Sequence, residues 1–228
     1  MRFGAGTVGN VGQGLTLAAL LTGLMTGCAA EEAEPDGASG ASASVSAKAT
    51  SKVAQRGGSI GASGSACELP VTFDIAEFWK AEAVGDEGSA GATGDLADLA
   101  DALLRQGPVT MACEVDAKPA GKIGFLRVWT GEPGDTDARA VLEDFVAAER
   151  GASGARYSTV TAGDITGTEV EYVTTSELLE ETKKEHALAV TTPEGPVVLH
   201  LGGMDTAEHE AMLPAYELAK STLHTTTG

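Results

Sequence analysis

Four histidines, His186, His200, His209 and His224, are the side chains here best suited to proton transfer near neutral pH. No two stand at a metal-ligand interval. His209-Glu210 is not followed by a second histidine four residues after the first, so the zinc-protease pattern fails. His200 falls on the strand face opposite Val197, Leu199 and Leu201, which sets it under a helix or along a cleft. A hydrogen-bonded structural histidine is the plainer reading of that position, a general base the sharper one.

Carboxylates are too abundant for any one pair to be informative. Asp135 and Asp137 read as helix-start residues, Glu169 and Glu171 as the solvated face of a strand, and no stretch has the ligand series of a calcium loop. Gly4, Gly6 and Gly9 spell GxGxxG with no strand before them to form a dinucleotide turn. Gly57-Gly58-Ser59-Ile60-Gly61 spells GxSxG, but a nucleophile elbow needs a strand before it and a helix after it. Both are read as chance matches in glycine-rich, unstructured sequence. No catalytic constellation, metal site or cofactor is expected.

The elements that must position these residues begin near Cys67. Val71, Phe73 and Ile75 share one face of a short strand, with Trp79 near its end. Residues 85–95 read as a loop. A helix over 95–106 is predicted from Leu96, Leu99, Leu103 and Leu104, stopped by Gly107-Pro108. Strands follow at 109–116, with Val109, Met111, Cys113 and Val115 pointing one way, and at 121–130, where Arg127 alone breaks a run that is apolar on both faces.

Residues 136–150 predict a helix burying Val141, Leu142, Phe145 and Val146, stopped by Gly151. Four more strands are predicted at 156–162, 167–176, 183–192 and 196–203, with 177–182 open to a single helical turn instead. Asp205-Thr206-Ala207-Glu208 is a capping box for a last helix, whose inward face is Met212, Tyr216, Ala219 and Leu223 and which Pro214 should kink or divide. The fold class is α+β: an antiparallel sheet of about six or seven strands flanked by about three helices.

Residue distribution sets the domain plan. Positions 1–66 contain no aromatic residue but Phe3, whereas both Trp, all three Tyr and four of the five Phe lie in 67–228. Residues 29–66 are small and polar, with no periodic apolar face, and read as a flexible tether with a random-coil reach of about 30–37 Å. The plan is therefore a leader over 1–27, a tether over 28–66 and one α+β domain over 67–228. The net charge of −18 becomes −19 on loss of Arg2, the one charged side chain among the first 27 residues. So acidic a surface repels phosphates, which argues against nucleic acid as a partner.

Arg2 and the uncharged apolar run 15–26 have the layout of a secretory signal, and that run is well short of the roughly 20 residues a membrane-crossing helix needs. Met25-Thr26-Gly27-Cys28 resembles the lipobox of bacterial lipoproteins, with Met25 where leucine is usual. The resemblance implies diacylglyceryl attachment to Cys28, cleavage before it, and anchoring on the extracytoplasmic face of a membrane by two acyl chains. An ordinary signal peptide with a coincidental cysteine is the alternative.

With Cys28 lipidated, Cys67 and Cys113 are left in a compartment that permits disulfides. Pairing them is the simplest arithmetic, two separate buried thiols the alternative.

The order of signal, lipobox, small-residue tether, a first strand ending near a Trp, a mid-chain helix, paired hairpins and a closing helix after VVLHLGG resembles actinobacterial lipoproteins of the LpqN/LpqT type. That resemblance implies a PsbP-like sandwich and an extracytoplasmic binding or accessory role, with no catalytic residues to carry over. Residues 85–120 are longer than the common pattern.

The function expected is thus an envelope lipoprotein that binds a protein or a small apolar ligand. Trp79, Trp129 and His200 are the candidate contact residues, because large aromatics supply most contact energy. The rival class is an envelope hydrolase acting on wall or lipid. It would need His200 to meet a carboxylate and a hydroxyl in one pocket.

Overall fold

The computed structural model describes residues 53–85 and 104–226. Their large sheet is eight-stranded and antiparallel, in the order β3 (Lys80–Ala83), β5 (Val109–Asp116), β6 (Gly124–Thr130), β10 (Gly195–Gly203), β9 (Glu181–Thr192), β8 (Ile165–Ser176), β7 (Ala152–Ala162), with β4 (Arg105–Gln106) also on β5. A three-stranded sheet joins β1 (Arg56–Ile60), β2 (Val71–Ala76) and β11 (His224–Thr225). Two α-helices accompany them, α1 (Ala138–Ala148) and α2 (Thr206–Ser221). Antiparallel sheet with helices is the expected class; the described residues hold more strands than predicted, and two α-helices.

Each face of the large sheet has its own core. On one side Val141, Leu142, Phe145 and Val146 of α1 pack on Val109, Trp129, Val170, Tyr172, Ala187, Ala189 and Val198. On the other, Met212, Ala215, Tyr216 and Ala219 of α2, together with Val71 and Phe73 of the small sheet, pack on Val115, Leu126, Val128, Leu188, Leu199 and Leu201. Strand alternation therefore assigns every central residue to one core or the other.

Several expectations are corrected. The tether was expected to reach Ala66, yet Arg56–Ile60 pairs antiparallel with β2 and Ile60 is buried. Apolar alternation is weak there; what allows pairing is the absence of side chains. A Cβ on Gly57 would stand 2.6 Å from the Glu77 Cα, and one on Gly61, at φ +104°, 1.9 Å from the Val71 carbonyl oxygen. The GxSxG run is therefore in ordered structure. Ser59 sits within β1, hydrogen-bonded to Asp74, and no helix follows it.

Of the helix expected over 95–106, Arg105–Gln106 is strand instead, and 95–103 lies outside the described residues, as does Cys28. Val109, Met111, Cys113 and Val115 do not share a face. A register shift between Met111 and Cys113 inserts a bulge, so Val109 and Met111 look to the α1 side while Cys113 and Val115 look to the α2 side. The second strand of that pair begins at Gly124, after a single 3-10 turn at Lys118–Ala120.

Residues 177–180 form a hairpin turn rather than helix, and 181–182 already belong to β9. Pro214 does not divide α2, which is continuous from Thr206 to Ser221; the Pro214 carbonyl accepts from the Ala54 amide. Asp205 caps α2 by accepting from the Glu208 amide at 2.8 Å. Glu208 closes no reciprocal box, because its carboxylate accepts from the Ile123 amide instead.

Cys67 and Cys113 stand at disulfide distance, with Cα atoms 5.9 Å apart. They link the segment before β2 to β5 inside the α2-side core. No helix among the described residues is long and apolar enough to cross a membrane.

Candidate functional site

α1 is shorter than the sheet face it covers, and the uncovered part is a cleft of about 430 Å³. Its lining includes Lys183, Glu185, His200 and Gly202 from β9 and β10, Met111, Arg127 and Trp129 from β5 and β6, and Gln106 and Glu149 at the α1 side. Strand parity explains the set: Glu185 alternates with Ala187 and Ala189, and His200 with Val198, so an acid and an imidazole occupy the buried face of their strands. Gly202 keeps the floor open. A Cβ there would meet nothing nearer than the Glu185 carboxylate at 3.4 Å.

Glu185 is only 2% exposed, yet it is surrounded by donors. Its Oε1 lies 2.9 Å from the Lys183 ammonium and accepts from the Thr174 hydroxyl at 3.2 Å, while Oε2 is 3.3 Å from the His200 Nε2. Burial opposes its ionisation, but the His200 and Lys183 contacts outweigh burial and hold the carboxyl below the usual range. Lys183 also donates to the Gly203 carbonyl, tying β9 to the end of β10.

The 3.3 Å approach of the His200 Nε2 is proximity rather than a hydrogen bond, and Glu185 Oε2 has no hydrogen-bond partner among the described residues. The same Nε2 is 3.1 Å from the Tyr172 hydroxyl. Burial, with the Glu185 charge adding, pushes that phenol well above its ordinary value, so Tyr172 stays protonated and is no nucleophile. Phe145 of α1 meets the His200 ring edge-on at 5.5 Å and Trp129 likewise at 5.5 Å, fixing both rings against the helix. The Trp129 indole N–H has no hydrogen-bond partner among the described residues.

His200 and Trp129 are thus brought to one cleft. Trp79 is not: it packs in the α2-side core and lines a separate depression with Phe78 and Pro214. Sequence reasoning missed Glu185, Lys183 and Tyr172, although a glutamate at a buried strand parity was a usable signal.

It also missed a second polar pair, on the α2 side. His186 Nδ1 lies 2.8 Å from His209 Nε2, and His186 Nε2 is 3.4 Å from the Glu171 carboxylate. His209 is fully buried, and its Nδ1 has no partner among the described residues. Burial, then the neighbouring His186, push its pKa down to about 4.

No curated protein matches this chain. Among solved structures it is similar to cyanobacterial PsbP (CyanoP) from Synechocystis sp. PCC 6803, at 12% identity and a TM-score of 0.42, over 69% of this chain and 87% of that one. The family model described as uncharacterised lipoprotein matches residues 37–223, most of the chain and all of the described part except its last residues, 224–226, and the protein belongs to that lipoprotein family.

Proposed function

We propose that the protein is exported, cut before Cys28, lipidated on that cysteine, and held on the extracytoplasmic face of a membrane as a binding protein of LpqN/LpqT type. Family membership supports the lipid anchor. The lipobox-like residues Met25-Thr26-Gly27-Cys28 and the apolar run before them support its position. In an oxidising compartment Cys67 and Cys113 then form a disulfide.

The binding site is the cleft floored by Gly202, with His200 and Trp129 as contact residues. One observation carries this reading: Glu185, 2% exposed, lies 2.9 Å from the Lys183 ammonium and 3.3 Å from His200 under an open cleft rather than inside a sealed core. Burying charge costs several kcal/mol per ion unless it is well paired, and such networks concentrate at sites. The cleft volume lies in the range of small-ligand pockets.

Gly202→Val tests it, because a side chain added there enters the cleft floor, its Cβ meeting only the Glu185 and His200 side chains at 3.4 and 3.6 Å. Protein extracted from native membranes in mild detergent should carry a bound molecule that the variant lacks. The same bound molecules on both, or none on either, would remove the cleft from the account.

The hydrolase reading is favoured by the meeting of His200 with a carboxylate and a hydroxyl. A carboxylate behind a histidine orients a base. The hydroxyl, however, is a buried phenol, so such an enzyme would have to activate water. Hydrolysis of wall or lipid substrates that His200→Gln abolishes would favour it over the binding role.

A further inference from the structure

A second groove, sharing Glu149, Lys183 and Met204 with that cleft, is built unlike the cleft floor. β10 stops pairing with β9 at Gly202↔Glu185, and β7 begins pairing with β8 at Ala152↔Thr174. β8 and β9 continue to each other through Thr175↔Thr182 and Ser176↔Glu181. The turn Glu177-Leu178-Leu179-Glu180 therefore stands out beyond both neighbouring strands.

Hairpin turns favour Gly, Asn, Asp and Ser, which take left-handed backbone or bond to it. Here two leucines occupy the tip, 90% and 65% exposed, and Glu180 takes φ +53°. Turn chemistry has given way to apolar surface. Across a groove of about 1030 Å³ stands Met204, also 59% exposed, at the corner between β10 and α2.

The groove's charged lining is mainly acidic. Glu149, Glu177, Glu181 and Asp205 face it, against Arg150 and Lys183, and Lys183 is engaged with Glu185. The whole chain, at −18, pushes the same way. Anionic headgroups are repelled by such a rim, whereas lysines and arginines are drawn to it.

We propose that this groove docks a protein segment that presents apolar side chains between lysines or arginines. Leu178, Leu179 and Met204 supply contact area, and the carboxylates steer and orient the partner. The proposal rests on the binding reading above and names the partner for the groove that adjoins that cleft.

The test places a photoreactive side chain at Leu178 of the full, membrane-anchored chain and sequences what it captures. In parallel, the purified full chain is titrated with two peptides of about twelve residues sharing one leucine pattern, filled with lysine in one and glutamate in the other. Capture of a peptide with apolar residues flanked by Lys or Arg is expected. So is binding of the lysine peptide, weakened about tenfold or more by Leu178→Ser with Leu179→Ser and by about 0.5 M salt. Phe78→Ser, at an exposed apolar site elsewhere, should leave that binding unchanged.

Capture of lipid, of a second copy of this chain, or of an acidic segment overturns the proposal, as does undiminished binding by the double serine variant. If the Gly202→Val difference in bound molecule persists in that case, the cleft stands as a binding site and only the partner class falls.

Discussion

Glu185 and His200 meet diagonally across the β9–β10 pair, Oε2 to Nε2 at 3.3 Å, with His200 opposite Ala187 and Glu185 opposite Gly202 in the ladder. Each also has a partner of its own, Lys183 for Glu185 and Tyr172 for His200. Removing His200 leaves the buried carboxylate to Lys183 and Thr174 alone, which costs about 1–3 kcal/mol by the usual penalty for a buried polar group that loses a partner. His200→Ala should lower the urea midpoint accordingly, whereas Glu185→Gln, which removes the charge as well, should cost less. Equal losses in the two variants would show that packing, not charge, dominates.

The Glu185 carboxyl also sets a pH dependence. Its folded pKa is held below the usual carboxylate value, so its contribution is complete above that usual value and is lost as pH falls through the folded one. In His200→Ala the carboxyl is easier to protonate, and the acid-unfolding midpoint should move to higher pH. An unmoved midpoint would mean that His200 does not hold the charge.

His209 acts in a different window. It is buried as the neutral ring with a pKa of about 4, against an ordinary 6.5, so the unfolded chain takes up its proton first as pH falls. Stability is unaffected above about pH 6.5 and declines between there and pH 4, by about 3 kcal/mol in all. The His186–His209 hydrogen bond fits this, since two imidazolium rings would set N–H against N–H at 2.8 Å. His209→Leu should flatten the decline in chemical denaturation curves taken across that range, and an unchanged slope would assign it to other groups.

Cys67 and Cys113 are 46 residues apart in sequence with Cα atoms 5.9 Å apart, so a bridge there closes a long loop of the unfolded chain. The chain-entropy model gives about 4 kcal/mol for it. Protein from its native envelope should show no free thiol at either position on non-reducing peptide mapping, and Cys67→Ala with Cys113→Ala should unfold at correspondingly lower urea. Free thiols at both positions would contradict the pairing.

What was legible in the residues follows from what packs. The β5 bounds, the α1 stripe of Val141, Leu142, Phe145 and Val146, and the Asp205 cap are carried by local pattern, and each is found. β1 was illegible because Gly57 and Gly61 are there for what they lack, and β4 because two residues have no period. The bulge after Met111 is a backbone event that reverses which way Cys113 and Val115 point, with no signal in residue type. His200 could be placed on a face, but its partners are chosen by register. Only the ladder brings Glu185 and Tyr172 to it, just as only the fold of α2 onto β9 brings His209 to His186.

The proposed lipid on Cys28 would fix where the cleft works and what reaches it. Intact-mass spectrometry of the protein from its native membranes measures it directly. The expected species begins at Cys28 and carries a diacylglyceryl group on the sulfur, and Cys28→Ser protein appears in the medium. A chain still beginning at Met1 without acyl groups, or a Cys28→Ser variant retained like wild type, would contradict the account.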